Sequence, residues 1–217
     1  MKIAIIGATG FVGSALVKEA LRRGHEVTAI SRKAMTADAD HTRLQIVAAD
    51  VADRETMTTA LTGSDIVISA YNAGWNNPDL YADFIKGSEE IQAAVTAAGV
   101  RRLLVIGGAG SLYIAPGKQL VDTHDFPEAY KAGATAARDY YNKLKEDAQL
   151  DWTYFSPAIE MHPGINTGRT GKYRTGLDNP VFDADSRSRL SVEDLAVAVI
   201  DEAEQASFIR KRFTAAY

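Results

Sequence analysis

Short apolar runs alternate with longer amphipathic stretches along the whole chain. Lys2–Ile6, Glu26–Ile30, Leu44–Ala48, Asp65–Ser69, Arg102–Ile106 and Trp152–Phe155 read as strands. Each is rich in Ile, Val or Leu, and several lack polar alternation. That is the pattern of strands buried on both faces, as in a parallel sheet sandwiched by helices. Val12–Arg23, Asp53–Leu61, Leu80–Ala98 and Ala134–Ala148 have helical spacing. Ser191 opens a last helix, with Asp194 at capping-box distance before Leu195, Val197, Val199 and Ile200. The alternation predicts an α/β fold, a doubly wound parallel sheet formed by residues 1–217 as one domain.

Two connections are longer than scaffolding needs: Gly107–Gly133 after the fifth strand and Pro157–Leu190 after the sixth. Loops beyond about 12–15 residues usually carry function. Both leave the carboxyl ends of strands, the edge where open α/β sheets bind ligands.

Composition narrows the classes of partner. The 217 residues are 46% apolar and carry a formal charge of −4, which speaks against a nucleic-acid surface. The basic run Arg210-Lys211-Arg212 is short and reads as solvated. With no cysteine, thiol catalysis, disulfides and thiolate metal sites are excluded. Met1 runs almost directly into the first strand, and no apolar run has the length of a membrane span, so the expectation is a soluble, cytoplasmic protein. Asp122-Thr123-His124-Asp125 reads as a solvated acidic loop, and no metal is expected.

The most informative stretch is Ile6-Gly7-Ala8-Thr9-Gly10-Phe11-Val12-Gly13, between the first strand and the first helix. Gly7 permits a tight turn, Gly10 lets a pyrophosphate approach the backbone, and Gly13 lets helix and strand pack closely. The phosphates would sit at the positive end of the helix, among the N–H groups of the turn around Thr9, Phe11 and Val12. With a strand before it and a helix after it, this is a dinucleotide-binding signature of a Rossmann domain.

The spacing G-x-x-G-x-x-G resembles that of the extended and atypical branches of the short-chain dehydrogenase/reductase superfamily. In that resemblance, Asp50-Val51 stands at the adenine-contacting position, and Ser69-Ala70 where the chain passes the cofactor ribose. Gly107-Gly108-Ala109-Gly110-Ser111, Trp152 to Ala158, Pro163-Gly164, Gly171-Lys172-Tyr173 and Ser191 to Ala196 are similar to a narrower group. These are small bacterial proteins assigned as NADH-flavin reductases, relatives of biliverdin reductase B and of the NmrA-like regulators.

An NAD-selective enzyme commonly ends its second strand with Asp or Glu. Here Ser31-Arg32-Lys33 stands there instead. A guanidinium can fork onto a 2′-phosphate and stack on adenine, so NADP is expected in preference, with NAD able to use the same cradle.

The superfamily's commonest members use a Tyr-x-x-x-Lys proton relay. Tyr141 and Lys145 match the spacing, yet Tyr141 falls within a predicted helix, on the core-facing stripe Ala137, Tyr141, Leu144 and Ala148. The family's usual interval from the sixth strand leads instead to Tyr130, where Ala134 replaces the lysine. Tyr130 is then a substrate-pocket candidate, and Ser111 a candidate donor to the acceptor. Gly107, Gly108, Ser156 and Pro157, at the ends of adjacent strands, are placed to fix the nicotinamide. Tyr71, Trp75, Tyr81 and Phe84 form either an aromatic wall beside it or packing under a loop, and the sequence favours neither. The resemblance implies an NAD(P)H-dependent oxidoreductase acting on a flat conjugated acceptor, a flavin or quinone, as monomer or homodimer. The alternatives are an NmrA-type cofactor sensor without turnover, or a sugar epimerase or dehydratase.

Overall fold

The computed structural model describes residues 1–33 and 42–217. The chain alternates strand and helix from its start: β1 (Lys2–Ile6), α1 (Phe11–Arg22), β2 (Glu26–Ser31), β3 (Leu44–Ala48), α2 (Arg54–Leu61), β4 (Ile66–Ser69), α3 (Leu80–Ala97) and β5 (Arg102–Ile106). The first long connection holds a small hairpin, β6 (Tyr113–Ala115) with β7 (Lys118–Gln119), ahead of α4 (Glu128–Leu144) and β8 (Asp151–Ser156). The second holds β9 (Arg174–Gly176), and α5 (Val192–Gln205) and β10 (Lys211–Ala216) follow it.

Among the described residues the main sheet runs β3-β2-β1-β4-β5-β8-β10-β9. All pairings are parallel except that of β9, which adds antiparallel to β10. The strand order reverses direction between β1 and β4, the switch point where such sheets open a crevice. Side chains alternate across the sheet, so β1 serves two cores at once. Ile3 and Ile5 pack with Leu16 and Val17 of α1 and Leu195 and Val199 of α5. Ala4 and Ile6 face the opposite layer, with Met57 of α2, Ile91 of α3 and Tyr140 of α4.

The structure extends the sequence reading in three places. First, α4 begins at Glu128, well before Ala134. Second, β6, β7, β9 and β10 add strands that local hydropathy does not announce. Third, Arg210-Lys211-Arg212 is not simply a solvated basic run: Lys211 and Arg212 open β10, and Arg212 is buried. Its guanidinium donates to Ser111 O at 2.6 Å and to Asp178 Oδ1 at 3.0 Å. It also lies over the rings of Tyr113 and Tyr141, at 5.4 and 4.9 Å from their centroids.

The capping expectation at α5 is half fulfilled. Ser191 Oγ accepts from Asp194 N at 3.1 Å, as an N-cap should. The Asp194 carboxylate does not return to Ser191 N, which donates instead to the Tyr217 hydroxyl. It reaches across to the second long loop, accepting from Thr170 N at 2.9 Å and Gly171 N at 2.7 Å. Tyr217 Oη donates to the same carboxylate at 2.8 Å. A second buried acid, Glu19 of α1, accepts from Arg22, Arg23 and Arg169. Burial alone would raise its pKa, and the hydrogen bonds from Arg22, Arg169 and Arg23 reverse that and hold the carboxyl far below its ordinary value. The loop that frames the site is thus tied to both α1 and α5.

Candidate cofactor-binding site

Ile6 ends β1, and Gly7 turns the chain at φ +80°, where side chains are strained. Gly7 N and Ala8 N both donate to Ile30 O, at 2.9 and 3.1 Å, which anchors the turn to β2. A Cβ on Gly7 would lie 2.5 Å from Ala70 O. One on Gly13 would lie 2.1 Å from Gly7 O, so the first turn of α1 rests directly on the glycine turn. Gly10 differs. It is exposed, it is the N-cap of α1, and among the described residues a Cβ there would meet nothing nearer than Gly7 O at 3.3 Å. The first N–H groups of α1 have no partner within the helix, and those of Phe11 and Val12 lie at its positive end where the chain is exposed to half-buried. This is an anion cradle with an open approach. Thr9 and Phe11 are exposed on its rim, and Val12 is half-buried.

The other expected cofactor residues flank the cradle along the carboxyl edge. Arg32 and Lys33 are exposed beyond β2, with Ser31 Oγ donating to Lys33 O at 2.6 Å. Arg32 and Asp50 act on the same phenol, Tyr71, whose pKa is raised first by burial and then by Asp83. Arg32 directly follows β2 and Asp50 follows β3, neighbouring strands on one side of the switch point. Asp50 is exposed in a tight turn, accepting from Ala52 N at 2.9 Å, and Val51 is half-buried behind it. Ser69 is buried, and Ala70 N donates to Ile6 O at 2.9 Å across the switch point.

On its other side, Gly107 N donates to Phe155 O at 2.8 Å, and Gly107 and Gly108 are half-buried. The Tyr154 ring lies directly against Gly107, where a Cβ would be 2.0 Å from its Oη. Ser156 and Pro157 are buried at the end of β8.

Ser111 has a different place from the one expected. It is fully buried; its Oγ donates to Gly108 O at 3.0 Å and lies 3.1 Å from Ser156 Oγ. Its carbonyl accepts from Arg212 and from Gln119 Nε2 at 2.8 Å. Its hydroxyl pins the ends of β5 and β8 together and does not face an acceptor. Arg212, on the last strand, is the supporting residue that the sequence reading missed.

Tyr130 sits in the first turn of α4, exposed at the mouth of the site, with Ala134 one turn further on and nearly buried. Because α4 starts early, Tyr141 lies more than three turns down the helix, about 20 Å from its start. Its ring packs on Trp152 and Tyr154 in the core, and Lys145 Nζ stands over the ring face at 4.9 Å, in a cation–π contact. Burial pushes its pKa up, the opposite of what a relay phenol needs. Tyr141→Phe is therefore expected to keep its activity within about threefold in steady-state assay; a fall beyond about 10²-fold in kcat would restore the relay.

The aromatic run after β4 divides in two. Tyr71 and Phe84 stack at 5.9 Å, with Phe84 buried in the core, and Tyr81 donates to Asp139 at 2.8 Å. Trp75 instead meets Tyr130, edge to face, with centroids 5.5 Å apart. The acidic loop holds His124 and Asp125 fully exposed, and among the described residues no three potential ligands gather into a metal site.

The family model described as NAD(P)H-binding matches residues 7–203, from the first glycine of the cradle into α5. The chain belongs to this NAD(P)H-binding family. Solved structures similar to this family member over its full length agree on the fold. A Burkholderia pseudomallei protein described as a candidate exported protein is 45% identical, with TM-score 0.87 and full coverage of both chains. A candidate epimerase from Bacteroides thetaiotaomicron is 44% identical, with TM-score 0.89, covering all of this chain and 96% of that one. A candidate NADH-flavin reductase from Streptococcus pneumoniae is 36% identical, with TM-score 0.85, covering all of this chain and 99% of that one. The family is oxidoreductase-like and binds a nicotinamide cofactor. Among the described residues no helix is long and apolar enough to cross a membrane.

Proposed function

We propose that this NAD(P)H-binding protein is a reductase that passes hydride from NADPH to a flat conjugated acceptor, a flavin or a quinone. The observation that carries the reading is a dinucleotide cradle beside a site mouth where Tyr130 is followed one turn later by Ala134, not by a lysine. When bound, the nicotinamide supplies two electrons and a proton as hydride. Reducing an isolated ketone concentrates charge on one oxygen and calls for a positioned acid. A flavin or quinone spreads that charge over its rings and takes its remaining proton from water, so the overall exchange consumes one proton from solvent. The chain's own task is then orientation. The N–H groups of Phe11 and Val12 would hold the pyrophosphate, and Gly107, Gly108, Ser156 and Pro157 would floor the nicotinamide end. Ser111, as a positioning residue, keeps β5 and β8 in register, and Ser111→Ala is expected to cost about 10-fold or less.

An epimerase reading, suggested by the Bacteroides neighbour, needs the acid–base pair that Ala134 interrupts. A cofactor sensor without turnover is the remaining alternative. Steady-state NADPH oxidation over a panel of acceptors separates the three. Turnover is expected with menadione or free FMN and near absence of turnover with simple ketones and alcohols. Cofactor that binds and is oxidised by none of them would make the protein a sensor, and efficient ketone turnover would contradict the mechanism.

The preference for NADP rests on Arg32 and Lys33, exposed beyond β2 where no carboxylate stands. NADPH is expected to bind about fivefold or more tighter than NADH, and Arg32→Asp to erase or reverse the difference, because the carboxylate repels a 2′-phosphate and accepts from ribose hydroxyls. Calorimetric titration of both nucleotides checks this; equal wild-type affinities would remove the argument.

A further inference from the structure

We propose that Trp75 and Tyr130 form a corner that seats the acceptor's ring, Trp75 stacking on its face and Tyr130 closing its edge. The two side chains are 57% and 54% exposed, unlike the aromatic residues packed beneath them. Their rings meet at 85° with centroids 5.5 Å apart, so one ring face and one ring edge are set at right angles. A planar conjugated ring fits such a corner by stacking on one wall and abutting the other, whereas a small aliphatic molecule gains little from it.

The indole is held in place before anything binds. Gly133 of α4 provides a notch for it, since a Cβ there would lie 2.8 Å from the Trp75 ring. The loop that carries Trp75 is tied by its own side chains. Asn72 Oδ1 accepts from Gly74 N at 2.7 Å, and Asn77 Nδ2 donates to Asp83 Oδ2 at 2.8 Å. At its base, Tyr71 donates to Asp83 O at 3.1 Å, and its ring lies against Gly87 of α3. A pre-set aromatic surface loses little freedom when it captures a ring.

Position assigns the corner to the acceptor and not to the nucleotide. The Trp75 loop leaves the carboxyl end of β4, just beyond Ala70, which pairs with Ile6 next to the glycine cradle. Tyr130 opens α4, reached by the connection that leaves β5 through Gly107. Both rings thus follow strands on the β4–β5 side of the switch point, whereas Arg32 follows β2 on its other side.

This inference rests on the reductase reading, and the test separates the two. Trp75 is one of two tryptophans, and the other, Trp152, is buried in the core. Protein loaded with NADP⁺ should lose a saturable part of its tryptophan emission when menadione or FMN is added. Calorimetry on Trp75→Leu and Tyr130→Ala should show about 10-fold or more weaker ring binding, with NADP⁺ affinity unchanged. Tyr130→Phe, which keeps the ring and loses the hydroxyl, should bind as the wild type does. Ring binding unaltered in Trp75→Leu would overturn the corner alone, as would a loss of binding in Tyr130→Phe equal to that in Tyr130→Ala. Failure of the wild type to bind any ring would overturn the corner and the reductase reading together.

Discussion

Gly10→Val is expected to weaken NADPH binding about 100-fold while lowering the melting temperature by no more than about 4 °C. The asymmetry follows from where this glycine sits. Its backbone at φ −75° and ψ 170° suits any residue, and its Cβ would meet Gly7 O at 3.3 Å, a tight contact that Gly7 relieves by yielding a few tenths of an ångström, far less than Gly13 would demand. The protein gives up only helix-cap propensity, about 1 kcal/mol, or roughly 2–4 °C for a chain of this size. The nucleotide loses far more, because an isopropyl group stands where the pyrophosphate must reach the N–H groups of α1. Losing two charge-assisted hydrogen bonds at about 1.5 kcal/mol each gives roughly the 100-fold. Gly13→Ala should behave oppositely. Its Cβ would lie 2.1 Å from Gly7 O, so the helix must move, and folding and binding should fall together. Thermal melts beside calorimetric titration of both variants check the pair. A Gly10→Val protein that binds NADPH like the wild type would place the phosphates elsewhere.

Asp194→Ala should produce the largest loss of stability, about 3–5 kcal/mol, or roughly 6–20 °C in melting temperature. The carboxylate is fully buried and accepts from Thr170 N, Gly171 N, Thr170 Oγ1 and Tyr217 Oη. Removing it takes away the shared acceptor of all four donors. The exposed Thr170 and Gly171 can turn to water, while the part-buried Tyr217 hydroxyl loses a charged partner, and each lost hydrogen bond to the carboxylate costs about 1.5–3 kcal/mol. It also unties the second long loop from α5, so loss of activity should accompany the loss of stability. Asp194→Asn keeps an acceptor oxygen and should recover part of both. A melting temperature for Asp194→Ala within about 2 °C of the wild type would show that the loop is held by other contacts, Arg169 with Glu19 foremost.

What could be read from the sequence was whatever neighbours along the chain decide. Ile3 to Ile6 announce a strand buried on both faces, and Gly7, Gly10 and Gly13 announce a turn into a helix. Both are local patterns, and both stand in the structure. The start of α4 was hidden because Pro127 to Gly133 offers little apolar periodicity and ends in a residue that breaks helices. Gly133 is nevertheless helical, and its reason lies far away in the chain, in the indole of Trp75. β10 was hidden for a similar cause: Arg212 looks like surface, and only Tyr113, Tyr141, Asp178 and the Ser111 carbonyl make its burial tolerable. Ser111 was assigned to the acceptor because its loop is in the right place. That its hydroxyl turns inward toward Ser156 depends on strand packing that no spacing encodes. Nor does spacing divide the aromatic run: Tyr71 stacks on Phe84, whereas Trp75 meets Tyr130 on another element.

The glycine turn after β1 is proposed as the seat of an NADP dinucleotide laid across the switch point. A crystal structure of the protein soaked with NADPH tests it most directly. The pyrophosphate should lie within hydrogen-bonding distance of the N–H groups of Phe11 and Val12, the 2′-phosphate beside Arg32, and the nicotinamide over Gly107 and Pro157, facing Trp75 and Tyr130. A nucleotide bound away from the turn, or with its 2′-phosphate pointing from Arg32 into solvent, would contradict the account.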